Sequence, residues 1–142
     1  MAAGNTEPRH PALRARRGIA FISLVLVVAA GLGVHALMPD TAATDIAGDA
    51  LYAVAIYLAL VLVAPRWPAA LTGGAASAWC VAVEVFQLTG IPLALGAGFT
   101  PAMLVLGTVF DLRDLIVYLA AIALLTAADS AAARIAARRA TI

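Results

Sequence analysis

The sequence is poor in charged residues, contains no lysine and has a single cysteine. Only 12% of its 142 residues are charged, whereas about a quarter are charged in an ordinary soluble domain. The lone Cys80 cannot form an intrachain disulfide, which excludes a small secreted module held together by disulfides. The formal net charge is only +1, so we expect no nucleic-acid partner.

Hydrophobic residues, in contrast, make up 64% of the chain, and most of them fall in four long runs. These runs predict membrane spans at about residues 18–38, 45–64, 69–89 and 111–128. Each run is long enough to cross most of the ~30 Å of hydrocarbon at ~1.5 Å per residue. We therefore expect an all-α polytopic membrane protein, with four transmembrane helices in an antiparallel bundle and the lipid bilayer as its partner.

The segments outside the spans are predicted to be tails and loops. Residues 1–17 indicate a loose basic tail, and residues 129–142 form a second, Ala-rich tail that contains arginines. The segment from Gly90 to Phe110 is apolar but interrupted by Gly and Pro, which favours a loop on the membrane surface over a fifth span. Within it, Thr100 is the predicted N-cap of a short helix that ends at Gly107.

Arginine positions predict the orientation in the membrane. If both termini are cytoplasmic, every arginine except Arg113 lies on the cytoplasmic side, in the two tails or at Arg66. The opposite orientation would reverse this distribution. The positive-inside rule therefore strongly favours the orientation with both termini in the cytoplasm. We therefore expect a multi-pass protein of the inner, cytoplasmic membrane with both termini in the cytoplasm.

Polar residues of the spans concentrate toward their predicted outer ends, with no comparable cluster toward the inner ends. Helical spacing puts Glu84 and Gln87 on one face of the third span, and Asp111 and Asp114 on one face of the fourth. Charged side chains avoid lipid, so these faces are expected to meet. The predicted binding site comprises Asp49, Glu84, Gln87, Asp111, Arg113, Asp114, Tyr118 and His35.

Each of these residues also has a simpler structural interpretation. Asp111 would cap the fourth span, because a carboxylate at a helix start accepts from free N–H groups. His35 would be a polar residue at the membrane interface. A charge at membrane depth costs about 2.5–3.5 kcal/mol on insertion scales. Glu84 would therefore act either as helix glue, hydrogen-bonded to Gln87 or Tyr52, or as part of a functional site.

Three functions fit such a cluster, because neighbouring carboxylates cannot all stay ionised without a cation or protons. The favoured one is a non-enzymatic protein that binds an outer-leaflet lipid head group or a cation. A small proton- or cation-coupled transport module would need a homo-oligomer to build its pathway. An enzyme would use the acids and His35 for proton transfer. No nucleophile, phosphate-loop or metal-ligand motif accompanies them, so we assign no catalytic residue, metal or cofactor.

Three segments carry a resemblance to a known family: GDALYAVAIYLALVL from Gly48, VEVFQ from Val83 and LGTVFDLRDLIVYLAA from Leu106. Over about residues 18–128 they resemble the bacterial membrane family catalogued as domain of unknown function 2809. The family pattern falls on Gly48, Asp49, Glu84, Gln87, Leu106, Gly107, Phe110, Asp114, Leu115 and Tyr118. The resemblance implies a fold and a site without implying a reaction. The family often has a glycine soon after the tyrosine, whereas this chain has only Ala and Ile at residues 120–123.

The Glu-x-x-Gln motif followed by an Asp is also similar to VanZ-type membrane proteins, which are linked to glycopeptide resistance. That likeness implies an accessory role in envelope stress or antibiotic resistance. The chain departs from the VanZ pattern in two places: Gly90–Phe110 contains no arginine, and no asparagine follows Asp114. The similarity is therefore one of architecture.

Overall fold

The computed structural model describes residues 10–99, 101–107 and 109–139, and the regular structure in this part of the chain is entirely helical. Its helices are α1 (His10–Leu37), α2 (Ala42–Val63), α3 (Ala69–Gln87), α4 (Ile91–Gly98), α5 (Pro101–Leu106) and α6 (Leu112–Arg139). Helices α1, α2, α3 and α6 are each long and apolar enough to cross a membrane. The predicted all-α class with four membrane-spanning helices is confirmed, and the chain is a multi-pass membrane protein.

Helix α1 begins earlier than hydropathy predicts. The predicted loose tail extends to residue 17, whereas the helix starts at His10. The added turns contain Ala12, Leu13 and several arginines, all strong helix formers, and Pro11 is tolerated because first-turn N–H groups have no partner within the helix. The longer helix carries Arg16 and Arg17 on its first turns. Residues 1–9 of the predicted tail lie outside the described residues.

Thr41 caps helix α2, which begins three residues before the predicted second span. The Thr41 hydroxyl accepts from the Thr44 N–H at 3.3 Å, and the Thr44 hydroxyl accepts from the Thr41 N–H at 2.9 Å. This reciprocal pair is a capping box, in which the side chain three residues into the helix normally comes from Glu or Gln. Thr44 in that position hides the motif from a sequence search.

The predicted surface loop between the third and fourth spans folds as the two short helices α4 and α5. Gly90 starts this segment with φ of 70° and Gly107 ends it with φ of 63°, a left-handed conformation that glycine adopts without steric cost. Helix α5 ends just before Gly107, as predicted, whereas α4 was not predicted. Thr100, the predicted N-cap, lies outside the described residues.

Helix α6 continues through most of the predicted C-terminal tail and reaches Arg139. The stretch after Ala128 is rich in Ala and Arg, which have high helix propensity, so the helix has no reason to stop where the apolar run ends. The extension places Asp129 on a regular helix. Residues 140–142 of this tail lie outside the described residues.

Helix α2 is the central element of the bundle, because it packs against α1, α3 and α6. Helix α3 also packs against α6. Among the described helices, α1 makes extensive contact only with α2. The core between them is small and apolar, with Ala53, Tyr57, Ala76, Cys80 and Ile122 among its buried members. The polar groups described next lie at the two ends of this core.

Candidate functional site

Five acidic residues meet where α2 and α6 start and α3 ends. Asp45 and Asp49 lie in the first two turns of α2, Glu84 lies in the last turn of α3, and Asp111 and Asp114 flank the start of α6. We call this region, with Gln87, Arg113 and Tyr118, the acidic end of the bundle. It brings together most of the residues that helical spacing predicts to share a site.

Glu84 and Gln87 are the most deeply buried polar side chains of this region, with 0% and 6% of their surface exposed. One Glu84 oxygen, Oε2, accepts the backbone N–H of Asp111 at 3.2 Å. The Gln87 amide donates to the Leu106 carbonyl at 2.9 Å. The partner of Glu84 is thus a backbone group, not Gln87 or Tyr52 as the glue interpretation predicts. The other oxygen of each side chain, Oε1, is buried without a protein partner.

Asp111 occupies the N-cap position of α6. Its Oδ1 accepts the backbone N–H of Arg113 at 2.8 Å, which satisfies one free donor of the first turn. Its own N–H points back to Glu84. The Asp111 side chain is therefore a helix cap, as its structural interpretation predicts. Its backbone N–H links α6 to α3.

Asp49 and Tyr118 connect α2 to α6. The Tyr118 hydroxyl lies 3.5 Å from Oδ1 of Asp49, while Oδ2 of Asp49 is buried without a protein partner. The Tyr118 ring packs against Tyr52 with centroids 5.6 Å apart. Tyr52 donates to the Val105 carbonyl at 2.7 Å and accepts from the indole N–H of Trp79 at 3.0 Å. These contacts hold helix α5 against the bundle.

Arg113 is shared loosely among three carboxylates. Its guanidinium lies 3.4 Å from Asp114, 3.7 Å from Asp45 and 3.8 Å from Asp111. Well-formed ion pairs of this type have N···O distances of about 2.7–2.9 Å. The side chain lies between the starts of α6 and α2, within reach of carboxylates on both. Its single positive charge lies among several negative ones.

An open cavity of about 280 Å³ lies at the acidic end, and we call it the acidic cavity. It is bounded by the end of α1, the start of α2 and the first turn of α6. Its lining residues are Gly31, Val34, His35, Asp40, Thr44, Asp45, Gly48, Asp49, Arg113 and Asp114. His35 therefore joins the predicted site, whereas Glu84 and Gln87 lie outside the lining. No group of three His, Cys, Asp or Glu side chains in the described ranges is arranged to hold a metal ion.

The opposite end of the bundle carries a second polar network, which was not predicted because its charged residues lie outside the predicted spans. Arg16 donates to the carbonyls of Pro65 and Trp67, both at 2.9 Å, and to Asp129 at 2.8 Å. Tyr57 donates to the same oxygen of Asp129 at 2.9 Å. We call this the basic end. Hydropathy misses it because Arg16 and Asp129 fall in the predicted tails.

A comparison with known families matches residues 38–122 to the sequence profile of a family described as protein of unknown function, DUF2809. The matched region covers more than half of the chain. The chain belongs to the DUF2809 family. No curated protein and no solved structure matches the chain.

The DUF2809 match contains the whole acidic end but not the two charged residues of the basic end. It includes α2, α3, the two short helices and the first part of α6, and with them Asp49, Glu84, Gln87 and Asp114. It begins after Arg16 and His35 and ends before Asp129, although it includes Tyr57, Pro65 and Trp67. The suspected family is confirmed, over a range narrower than the predicted residues 18–128.

Proposed function

We propose that this DUF2809 protein is a non-enzymatic binding protein whose acidic cavity holds a positively charged group. The group would be a small cation or the ammonium of a lipid head group. From the arginine distribution we further propose that the termini face the cytoplasm, which places the acidic end at the outer leaflet of the inner membrane.

One observation carries the proposal: an unpartnered carboxylate oxygen in the wall of the acidic cavity. Asp49 lines the cavity, and its Oδ2 is buried without a protein partner. This oxygen is an acceptor, and a buried polar group left without a partner costs about 1–3 kcal/mol. An ammonium group or a cation supplies the donor or the positive charge that the oxygen lacks.

The charges of the cavity support the same conclusion. Four of its lining residues are aspartates, against Arg113 as the one arginine among them. A cleft lined by one sign of charge raises the local concentration of the opposite ion. An anionic ligand would be repelled from the same surface.

Binding is favoured over transport because no charged path crosses the bundle. Between the two ends, the spans contain no Asp, Glu or Arg at 18–39, 50–64, 67–83 and 115–128. The core there is formed by residues such as Ala53, Ala76 and Ile122. A charged ligand crossing this layer in a single chain would lose its hydration without a replacement.

Titration of the purified protein in an uncharged detergent tests the proposal. Ethylammonium chloride is added while heat of binding is recorded, and sodium ethyl phosphate serves as the anionic control. We expect saturable binding of ethylammonium, no binding of ethyl phosphate and a loss of binding in Asp49→Asn. Asp129→Asn, which makes the same charge change at the basic end, should bind normally below its unfolding temperature. Equal affinity of wild type and Asp49→Asn, or no binding by wild type, would overturn the proposal.

A further inference from the structure

We infer that a surface beside the basic end binds an anionic phospholipid. We call it the arginine surface, and it consists of Arg14 and Arg17 on α1 together with Arg66 and Trp67 in the turn between α2 and α3. Its ligand is a lipid whose phosphate is not balanced by a cation in the same head group, such as phosphatidylglycerol. The inference makes no use of the acidic cavity and goes beyond the proposed function.

Two hydrogen-bonded arginines hold the start of α1 against the turn between α2 and α3. Arg16 donates to the carbonyls of the residues on both sides of Arg66, at 2.9 Å each. Arg17 donates through Nε to the Leu62 carbonyl, also at 2.9 Å. Arg14 lies three residues before Arg17, and residues three apart are neighbours on a helix surface. The fold therefore brings arginines from two separate segments to one side of the bundle.

The arginine surface carries positive charge without a paired carboxylate. Arg14, Arg17 and Arg66 are exposed, and none of them forms an ion pair with the described part of the chain. Asp129 is the one acidic residue of the basic end in the described ranges, and it already accepts from Arg16 at 2.8 Å. A surface with positive charge in excess attracts anions.

The arginine surface lies at the level where the membrane spans end. Arg17 directly precedes the apolar run that begins at Gly18, and Arg66 lies in the short turn between two spans. Trp67, next to Arg66, is 37% exposed, and tryptophan is enriched at the level of the lipid head groups. This position favours a lipid phosphate as the anion over an acidic protein in the aqueous phase.

The chemistry of the arginine side chain favours one class of head group. A guanidinium binds a phosphate through its charge and through its planar fork of N–H donors. Phosphatidylglycerol offers a phosphate and no cation. Phosphatidylcholine has the same phosphate, but its ammonium adds a positive charge beside several arginines. We therefore expect the arginine surface to contribute to the binding of phosphatidylglycerol and to leave that of phosphatidylcholine unaffected.

Native mass spectrometry of the delipidated full-length protein in uncharged detergent tests the inference. The probes are phosphatidylglycerol and phosphatidylcholine with identical acyl chains, and soluble glycerophosphoglycerol as the free head group. We expect saturable binding of phosphatidylglycerol by the wild type. The free head group should bind much more weakly, because it lacks the acyl chains.

Single replacements of arginine locate the binding surface. Arg14→Gln and Arg66→Gln should each weaken phosphatidylglycerol binding about fivefold and leave phosphatidylcholine binding unchanged. Neither side chain makes a hydrogen bond or an ion pair within the described ranges, so both variants should unfold at the wild-type temperature. Arg66→Lys keeps the charge but loses the fork, and should bind with an affinity between those of wild type and Arg66→Gln.

Arg134→Gln is the matched control for these variants. It removes the same charge from an exposed position of α6, more than one helical turn beyond Asp129. It should bind phosphatidylglycerol as the wild type does. A loss as large as that of Arg66→Gln would overturn the inference, because the net charge of the chain alone would then explain the binding.

Three other results would also contradict the inference. Absence of phosphatidylglycerol binding by the wild type, or unchanged binding in both Arg14→Gln and Arg66→Gln, would show that the arginine surface holds no lipid. An equal loss of phosphatidylcholine binding in these variants would show that the head-group charge is not recognised. If glycerophosphoglycerol binds as tightly as the intact lipid, the surface is a site for soluble phosphate esters. Each of these results leaves the proposed function of the acidic cavity untouched.

Discussion

Glu84 shows how a carboxylate is kept inside an apolar bundle. Its Oε2 accepts the Asp111 N–H at 3.2 Å, and Asp111 stands at the start of α6, where the helix dipole is positive. Oε2 therefore links the end of α3 to the start of α6, while Oε1 is buried without a protein partner. The group thus serves packing through Oε2 and, when ionised, adds negative charge to the acidic end.

The variant Glu84→Gln separates these two roles. The amide oxygen can still accept the Asp111 N–H, so we expect the free energy of unfolding to change by less than about 1 kcal/mol. Ethylammonium binding should weaken, because one negative charge close to the cavity is lost. The measurements are thermal unfolding and binding calorimetry in detergent. A variant that unfolds yet binds normally when stabilised would show that Glu84 is helix glue alone.

Arg113 and Arg16 differ in how closely their guanidinium groups are bound by neighbouring residues. Arg16 makes three hydrogen bonds of 2.8–2.9 Å, whereas the shortest carboxylate contact of Arg113 is 3.4 Å. Arg113 is also the more exposed, at 41% of its side chain against 28%. We conclude that Arg16 holds helices together, while Arg113 neutralises the acidic end as a loosely held internal cation.

Replacing Arg113 by a neutral residue should therefore strengthen the binding of an added cation. We expect Arg113→Gln to bind ethylammonium about threefold more tightly, a modest gain because exposed ion pairs contribute only about 0–1 kcal/mol. Calorimetric titration gives the affinity. Arg16→Gln is the matched control, with a lower unfolding temperature and unchanged affinity. Weaker binding in Arg113→Gln would mean that Arg113 helps to hold the ligand.

At the scale of the helices, Gly73 sets the distance between α3 and α6. It is buried, and a Cβ built on it would collide with the Thr126 hydroxyl and lie 3.2 Å from its methyl group. Small residues allow membrane helices to approach closely, and the β-branched Thr126 has little rotamer freedom to move away. The contact fixes where α6 stands on α3, and hence where Asp111 meets Glu84.

The prediction for this contact compares two neighbouring glycines. Gly73→Ala should lower the free energy of unfolding by about 1–3 kcal/mol, because overpacking forces the helices apart. Gly74→Ala adds the same methyl group where nothing lies within 4 Å, and should be neutral or slightly stabilising. Thermal unfolding of both variants in one detergent measures the difference. Equal stabilities would mean that α3 and α6 separate at no cost.

At the scale of the whole molecule, the charges are divided between the ends. Arg16 and Arg17 lie at the start of α1, and Arg138 and Arg139 at the end of α6. The acidic end carries Arg113 among carboxylates. The membrane potential acts on this uneven distribution of charge, and the positive-inside rule places arginine-rich segments in the cytoplasm. We therefore expect the basic end to face the cytoplasm.

Reporter fusions measure that orientation. We expect a fusion after Trp67 and one after Ile142 to report the cytoplasm, and a fusion after Gly98 to report the outside. As a control, a cysteine placed at the exposed Phe99 should react with an impermeant maleimide from outside intact cells, while the buried Cys80 stays unlabelled. An external signal at residue 142 would contradict the four-span topology.

The sequence by itself determined the membrane class, the four spans and the group of polar residues at one end. Apolar runs and helical spacing act over one or two turns, so Glu84, Gln87 and Asp114 could be assigned to shared faces before any fold was known. The ends of the helices were harder to predict, because Arg16 and Asp129 belong to helices that continue beyond the apolar runs.

Only the tertiary structure decided which groups meet. The pairing of Glu84 with the Asp111 N–H, of Gln87 with the Leu106 carbonyl and of Arg16 with Asp129 joins residues far apart in the chain. Hydrogen bonds need atoms within about 3 Å, and that precision depends on how whole helices pack. Local sequence patterns fix the face of a helix, whereas contacts such as Gly73 against Thr126 fix its distance and position.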